Sequence, residues 1–290
     1  MPELPEVETV KNSLKELVLN KKIISVDVYY DRIIQNVPIE YFKKSLINET
    51  FVDIKRLGKF LIFIFEKHIL LSHLRMEGKY FLKGQEEKGK HEHVIFNLEN
   101  NETLRYNDTR KFGVMYLYDT NEISEVLKQE PLNELGLEPF DEKMTVEYLK
   151  GKWAKCKKPI KTSLLDQRVI CGLGNIYADE VCFMVKVNPK QETNSLSDSQ
   201  LQAIIDDSKE VLTKAISLGG TTIKSFVNSH SATGLFQNEL LVHTKEVCPN
   251  CSGKIEKIVV GGRGTYYCPN CQKLNSWQFI LKILKWRDIW

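Results

Sequence analysis

The chain has 290 residues, 42% hydrophobic and 10% aromatic, and its 41 Lys and Arg against 38 Asp and Glu give a formal net charge of +3. This is globular composition, long enough for two domains with their own cores, and it excludes disordered and low-complexity classes. The longest apolar run, Phe60 to Phe65, is far too short to span a bilayer, and Glu3, Glu6 and Glu8 stand where a secretory leader would be basic, so a cytoplasmic protein with no membrane partner is expected.

The first residues, Met1-Pro2-Glu3-Leu4-Pro5-Glu6, carry the strongest chemical signal at the N-terminal end. Removal of Met1 leaves Pro2 with a free secondary amine, which titrates near pH ~8 and so is partly unprotonated at neutrality. Such an amine is a candidate nucleophile toward a sugar or carbonyl carbon, and the iminium it forms is a permanent electron sink. Glu3 stands beside it as a candidate general acid. The same stretch also reads as an ordinary helix start, with Pro5 in the first turn, Glu6 and Glu8 complementing the dipole, and Val7, Val10, Leu14, Leu17 and Val18 at helical spacing.

Short runs rich in β-branched and aromatic residues follow, over 23–30, 51–56, 60–65, 69–73, 79–82, 94–98, 103–107 and 114–118, separated by turn residues such as Gly58, Gly84 and Asn100-Asn101. They predict a β-sandwich or barrel, with one inserted helix over 39–47. Around 120–140 the pattern changes to a connection punctuated by Pro131, Gly136 and Pro139. Helical spacing then dominates, over 146–153, 160–166, 176–185, 201–218 and 222–227, and predicts a separate helical domain.

Three loops of the β region combine cations with apolar tips. Arg56-Leu57-Gly58-Lys59 puts a cation at a turn before a buried strand. His73-Leu74-Arg75-Met76-Glu77-Gly78 ends another strand, and Asn107-Asp108-Thr109-Arg110-Lys111-Phe112-Gly113 presents an Arg and a Phe. Each reads as a polar loop, yet Met76 and Phe112 beside Arg110 also suit insertion into a base stack. His91 and His93 alternate at a strand start with no further metal-type ligand near them, and are read as polar or phosphate-contacting.

Lys150, Lys152, Lys155, Lys157, Lys158 and Lys161 fall within twelve residues that contain no acid, which fits a solvated face or a phosphate-tracking surface. The stretch Leu164 to Glu180 reads as helix, glycine turn (Gly172-Leu173-Gly174) and a second helix from about Asn175, whose N-terminus offers free N–H groups to a phosphate. Seven cysteines, four of them clustered, point to metal rather than disulfides. Cys248-Pro249-Asn250-Cys251 and Cys268-Pro269-Asn270-Cys271 are two C-x2-C knuckles whose four thiolates leave no open coordination position, so one structural zinc is expected. Between them Gly262-Arg263-Gly264 holds an Arg at a hairpin tip, able to fork onto a phosphate.

Taken together, Met1 to Thr9, Gly58-Lys59, Leu74 to Gly78, Asp108 to Gly113, Gly172 to Glu180, Gly219-Gly220-Thr221-Thr222, Gly261 to Thr265 and the knuckles make the sequence resemble the bacterial formamidopyrimidine-DNA glycosylases. The resemblance covers residues 1 to about 273 and implies an α+β multidomain protein. Its parts would be an N-terminal catalytic β-sandwich domain with flanking helices (1–120), a linker (121–140), a helix-two-turn-helix DNA-binding domain (141–240) and a zinc finger (241–273), with DNA in the cleft between the lobes. The implied activity is that of a DNA glycosylase and abasic-site lyase of base excision repair, acting as a nucleoid-associated monomer on double-stranded DNA containing oxidised bases. It would excise 8-oxoguanine and formamidopyrimidines through a Pro2 Schiff base and β,δ-elimination. By the same resemblance Glu3 is the proton donor for sugar-ring opening and Lys59 a phosphate contact of the catalytic site. Arg263 also counts with the catalytic set, and His93, Arg110, Lys158, Asn175 and Arg263 with the DNA contacts. Met76, Arg110 and Phe112 fill the space left by the flipped nucleotide, while Glu6 and Glu77 support the site.

The chain departs from the family pattern at its end, where Trp277 to Trp290 continue past the last knuckle with apolar residues at helical spacing, an amphipathic extension over 274–290. Other readings are a sister glycosylase for oxidised pyrimidines, a non-enzymatic zinc-ribbon nucleic-acid binder, and a tautomerase using an N-terminal proline. The Pro-Glu-Leu-Pro-Glu opening and the Met, Arg and Phe loop residues favour the purine enzyme; the zinc-ribbon reading has no use for Pro2 beside Glu3, and the tautomerase leaves the finger unexplained.

Overall fold

Helix α1 (Leu4–Val18) opens the computed structural model, which describes residues 1–221 and 234–274. Its buried residues Leu4, Val7, Val10, Leu14 and Val18 recur every three or four positions, so one stripe faces the core. Then come β1 (Ile23–Val28), α2 (Ile39–Leu46), β2 (Asp53–Leu57), β3 (Phe60–Ile64), β4 (Ile69–His73), β5 (Lys79–Lys83), β6 (Glu92–Leu98), β7 (Thr103–Asn107), β8 (Val114–Tyr118) and the short α3 (Ile123–Val126).

The strands form two antiparallel four-stranded sheets, in the orders β1-β6-β7-β5 and β2-β3-β4-β8. Val26, Val94, Phe96, Leu104 and Tyr106 of the first meet Ile54, Leu61, Phe63, Leu70 and Leu117 of the second in one core, joined by Val7, Val10 and Leu14 of α1 and by Phe42 and Leu46 of α2. The alternate residues Phe60, Ile62, Ile69 and Leu71 point to the other face, where Tyr118, Val126 and Leu132 cover them. The second sheet is therefore buried on both sides, which is why Phe60 to Phe65 is an unbroken apolar run instead of an alternating one. Its cover comes partly from residues 121–140, the stretch expected as a connection.

The chain divides into two compact units. One comprises Met1–Glu138 and the described residues of Leu212–Glu239; the other comprises Pro139–Val211 and the described residues from Leu240. The second unit holds α4 (Val146–Trp153), capped by Thr145 Oγ1 accepting from the Tyr148 N–H at 3.2 Å, α5 (Ile160–Leu164) and α6 (Asn175–Met184). It also holds most of α7 (Asp198–Ser217) and the hairpin of β9 (Glu256–Val260) and β10 (Arg263–Tyr267). Leu149, Trp153, Ile160, Leu164, Tyr177, Val181, Leu201 and Ile204 are among its buried residues. Among the described residues no helix is long and apolar enough to cross a membrane. The helix expected over 222–227 and, apart from Leu274, the amphipathic extension over 274–290 lie outside the described residues.

Candidate active site and nucleic-acid interface

Pro2 and Glu3 sit directly ahead of α1, both buried, while Met1 is exposed. Glu3 is the N-cap residue in a reciprocal capping box: its carboxylate accepts from the Glu6 N–H, and Glu6 Oε2 accepts from the Glu3 N–H at 2.8 Å. The end of the chain is thus clamped where most termini fray. Glu6, 2% exposed, does more than cap. Its Oε1 accepts from the Thr221 N–H at 2.9 Å and the Thr221 hydroxyl at 3.1 Å. Gly220 (φ 77°) passes so close that a Cβ there would stand 2.7 Å from that oxygen. The Gly219-Gly220-Thr221 motif is therefore a backbone fitted around a buried carboxylate.

Lys59 lies in the two-residue turn between β2 and β3, 6% exposed, after Gly58 with φ 55°. Glu138 Oε1 accepts from the Gly58 N–H at 2.6 Å, and Arg56 Nη1 donates to the Gly58 carbonyl at 2.9 Å. Arg56 also pairs with Glu138 and, through Nε, with Glu8 Oε2 at 2.8 Å. Next to this turn in sheet order, His73 pairs with Phe60 across the strands. Burial, with Arg75 and Lys59 nearby, drives the His73 imidazole down to about 3, so it is neutral and accepts the Arg75 N–H at 3.0 Å.

The two loops that carry Met76, Arg110 and Phe112 are brought together over Tyr106. A Cβ on either Gly78 or Gly113 would overlap the Tyr106 hydroxyl, and Thr109 Oγ1 donates to Glu77 across the loops. Asp108, fully buried, organises the second loop by accepting from the N–H groups of Arg110 (2.9 Å), Phe112 (2.9 Å) and Gly113 (2.8 Å). Phe112 is left 51% exposed with the Arg110 guanidinium 4.7 Å from its ring centre. Met76 is half-buried. His93, expected as a polar or phosphate-contacting residue, is 4% exposed and donates from Nε2 to the Asp108 carbonyl at 2.8 Å, so it braces this loop. Burial holds its pKa below the usual value.

In the second unit, α5, the turn before α6 and the β9-β10 hairpin converge. Gln167 stitches the turn by donating to the carbonyls of Leu165 (3.0 Å) and Leu173 (2.8 Å) and accepting from the Gly172 N–H (2.9 Å), with Gly172 at φ 104°. Asn175 begins α6, and its Nδ2 donates to the Gly264 carbonyl at 2.9 Å, so Asn175 and the exposed Arg263 meet at one place. Lys158 is exposed as expected of a phosphate-tracking lysine, but Lys161 is not. Lys161 is completely buried and donates to the Asn175 carbonyl (2.7 Å) and Asp179 (2.5 Å), because it lies on the inner face of α5. Asp179 in turn receives His243 Nδ1 at 2.7 Å, and Glu180 caps the N–H groups of Leu241, Val242 and His243 at 2.7, 3.1 and 2.8 Å. Burial pushes the Glu180 carboxyl up despite those three bonds.

The thiolates of Cys248, Cys251, Cys268 and Cys271 lie within 4.8 Å of one another. The pairs Cys248–Cys271 and Cys251–Cys268 are 3.8 and 3.5 Å apart, far beyond a disulfide and close to the ~3.8 Å separation that four sulfurs about 2.3 Å from a tetrahedral zinc would have. They fit one structural zinc, whose bonds would close both knuckles. Cys248 and Cys268 also pack with Phe183, Val242 and Ile255, and Gln272 Nε2 donates to the Val187 carbonyl at 2.9 Å, so the finger is continuous with the helical part of its unit.

Sequence reasoning passed over Glu138, Gln167, Lys161 as a buried group, and the pair Asp179-Glu180 as structural. Two acids inside the apolar stretch of α6 were the available signal, since a charge on a buried helix face must have a partner. Nothing local marks Glu138.

Family models match the chain in three places: the formamidopyrimidine-DNA glycosylase N-terminal domain over residues 1–115, the H2TH domain of the same enzymes over 135–227, and the zinc finger found in FPG and IleRS over 245–274. The formamidopyrimidine-DNA glycosylase of Shouchella clausii is 46% identical over 276 residues, covering 94% of this chain and 99% of its own. The chain belongs to the formamidopyrimidine-DNA glycosylase family. The Bacillus subtilis enzyme of that name is likewise 46% identical over the same shares. Among solved structures, Lactococcus lactis Fpg bound to DNA containing N7-benzyl-Fapy-dG is 42% identical with a TM-score of 0.85, covering 94% of this chain and 100% of that one. The same enzyme bound to abasic-site DNA is 41% identical with a TM-score of 0.85 and the same coverage. The α+β architecture and the zinc finger are therefore family features.

Proposed function

We propose that the protein is a bifunctional DNA glycosylase and abasic-site lyase of base excision repair, excising 8-oxoguanine and formamidopyrimidines from duplex DNA. The single observation that carries this reading is a proline at position 2, ahead of a doubly capped helix, in a chain of this family. With Met1 removed, the Pro2 amine attacks C1′ of the damaged nucleotide, and the bond from C1′ to the base breaks with its electron pair leaving on the base, which takes up a proton. Glu3 gives a proton to the ring oxygen as the sugar opens, leaving an iminium at C1′. Loss of a C2′ proton expels the 3′ phosphate, a second elimination expels the 5′ phosphate, and water frees the amine.

In this reading Lys59 holds a phosphate at the reacting nucleotide, and Asn175, Arg263 and Lys158 hold the flanking backbone. Met76, Arg110 and Phe112 occupy the gap in the stack, which offsets part of the few kcal/mol that flipping costs. Glu6 and Glu77 support the loops around the site, and His93 supports Arg110. The zinc keeps the Arg263 hairpin in shape and takes no part in the chemistry. The exposed cationic residues fit a nucleic-acid partner, and a nucleoid-associated monomer is the corresponding state in the cell.

The test is borohydride reduction during turnover of a duplex carrying one 8-oxoguanine. A covalent protein–DNA adduct that maps to Pro2 is expected; an adduct mapping to Lys59, or none in the presence of base release, overturns the mechanism. A duplex with a single oxidised pyrimidine distinguishes the sister enzyme, which would release that base faster.

A further inference from the structure

We infer that Arg56, with Glu138 as its acceptor, is a positioning residue for this reaction: it fastens the Gly58-Lys59 turn to helix α1 and so sets where the Lys59 ammonium stands relative to Pro2 and Glu3. The inference rests on the reading of Lys59 given above.

Three observations carry it. Both backbone polar groups of Gly58 are engaged by one ion pair, the N–H by Glu138 at 2.6 Å and the carbonyl by Arg56 at 2.9 Å. The third arm of the guanidinium, Nε, reaches Glu8 at 2.8 Å, and Glu8 lies on α1 just behind the residues assigned the chemistry. A planar fork with donors on three sides is what allows one side chain to fix a turn, a distant carboxylate and a helix together. The group is also well shielded, with the Arg56, Glu138 and Glu8 side chains 9%, 16% and 17% exposed. Burial works against the Arg56 charge, and its bonds to Glu138 and Glu8 more than offset this, holding its pKa above the ordinary value.

Stability alone does not account for such a group. A two-residue hairpin turn with a left-handed first residue keeps its register without help from an ion pair 80 residues away. Buried ion pairs, moreover, are often no more stabilising than apolar residues of the same volume. What the pair does supply is a fixed location for the residue that follows Gly58. A reacting group displaced by about 1 Å costs on the order of 10²-fold in rate, so small movements of this turn matter to chemistry long before they matter to folding.

The experiment uses Arg56→Lys, which keeps the charge but cannot reach all three acceptors, and Glu138→Gln, which keeps the volume and an acceptor for Gly58 while presenting an NH2 to the guanidinium. Each is made in the native chain and in a Lys59→Ala background. Single-turnover excision of 8-oxoguanine is measured, with affinity for a duplex carrying an uncleavable abasic analogue and a thermal melt to show that each variant folds. In the native background each substitution is expected to slow excision by roughly 10- to 100-fold while changing affinity by less than about threefold. In the Lys59→Ala background the further loss should be under about twofold, because a residue acting through Lys59 has nothing left to position. The same loss in both backgrounds, or affinity falling in step with rate, overturns the inference and leaves a structural role. Unchanged excision in both variants overturns it too. If Arg56→Lys does not fold, Glu138→Gln decides alone. A native enzyme without excision sinks the underlying reading, whereas an active one with additive losses sinks only this inference.

Discussion

Two hairpins each present one cation, and they are held by opposite means. In the β-sandwich unit, Lys59 is nearly buried at the β2-β3 turn, and the turn is held by Glu138 and, through Arg56, by Glu8, side chains 80 and 48 residues away from the groups they bind. In the helical unit, Arg263 is exposed after Gly261 (φ 57°) and Gly262 (φ 76°), the left-handed pair that a two-residue turn requires. That hairpin is framed by cysteine knuckles within twenty residues and steadied by Asn175 on Gly264. On the function proposed above, the cation placed at the reacting centre is surrounded by long-range polar contacts, while the one placed on a flanking phosphate has only a rigid local frame.

The largest expected effect separates chemistry from grip. Blocking Pro2, by a retained Met1 or an N-terminal tag, should lower excision by at least about 10⁴-fold and abolish borohydride trapping, with DNA affinity nearly unchanged. Gel-shift titration alongside single-turnover kinetics checks it; loss of affinity in proportion to rate would erase the division of labour between the two units. The reverse is expected of Cys268→Ser. Zinc content should fall to background, since zinc binding contributes on the order of 10 kcal/mol to the structure of such a finger. Affinity should drop by roughly 10²-fold, as the Arg263 contact and its neighbours are lost, a few kcal/mol of charge-assisted hydrogen bonding. Trapping at saturating DNA should survive. Metal analysis showing zinc retained would break the ligand assignment.

This contrast also explains what was legible in the sequence. The strands of the sandwich and the helices from α4 to α7 follow from local period and turn residues, and their ends fall within a few residues of the runs read from sequence. The knuckles were legible because their four ligands come as two local pairs with fixed spacing. Glu138 and Glu180 were not, because what each carboxylate binds is set by the tertiary fold: Glu138 reaches 80 residues back to Gly58, and Glu180 reaches 61 to 63 residues forward to the run of N–H groups at 241–243. The same holds for Lys161. A lysine run reads as one solvated face, and only the packing of α5 turns one of its members inward against Asp179.

Acid distinguishes the two kinds of hold further. Burial raises the Glu92 carboxyl, but hydrogen bonds from Lys83 (2.9 Å between charged atoms) and Arg105 (2.8 Å) and from the Gly89 N–H bring it down to about 2, against an ordinary 4.5. A folded pKa below the unfolded one means stability that is present above pH 4.5 and lost as pH falls toward 2. Arg105 also donates to the carbonyls of Gly84, Glu86 and Glu87, so the 84–92 loop is the part expected to loosen first. Amide exchange across that loop in the native chain and in Glu92→Gln should differ at pH 7 and converge between pH 4.5 and pH 2. A gap that persists unchanged into that range would remove the electrostatic explanation.

The smallest effect tests whether the loops above Tyr106 belong with the chemistry or with the grip. Phe112 is 51% exposed, and burying the rest of it in a base stack contributes about 1 kcal/mol, half of what a fully buried Phe supplies. Phe112→Ala should therefore slow 8-oxoguanine excision from duplex by somewhat less than about tenfold, and Met76→Ala by a similar or smaller factor. The surroundings of Asp108 and Tyr106 are untouched by either change, so the loops keep their shape. Strand cleavage at a preformed abasic site should slow by less than about twofold, because no base has to leave the stack there and little wedge energy is needed. The discriminating quantity is the ratio of the two defects. A ratio well above one assigns Phe112 and Met76 to opening the duplex, a step that precedes the attack by Pro2. A ratio of one, with affinity reduced to match, would place these side chains with Arg263 among the residues that merely hold DNA.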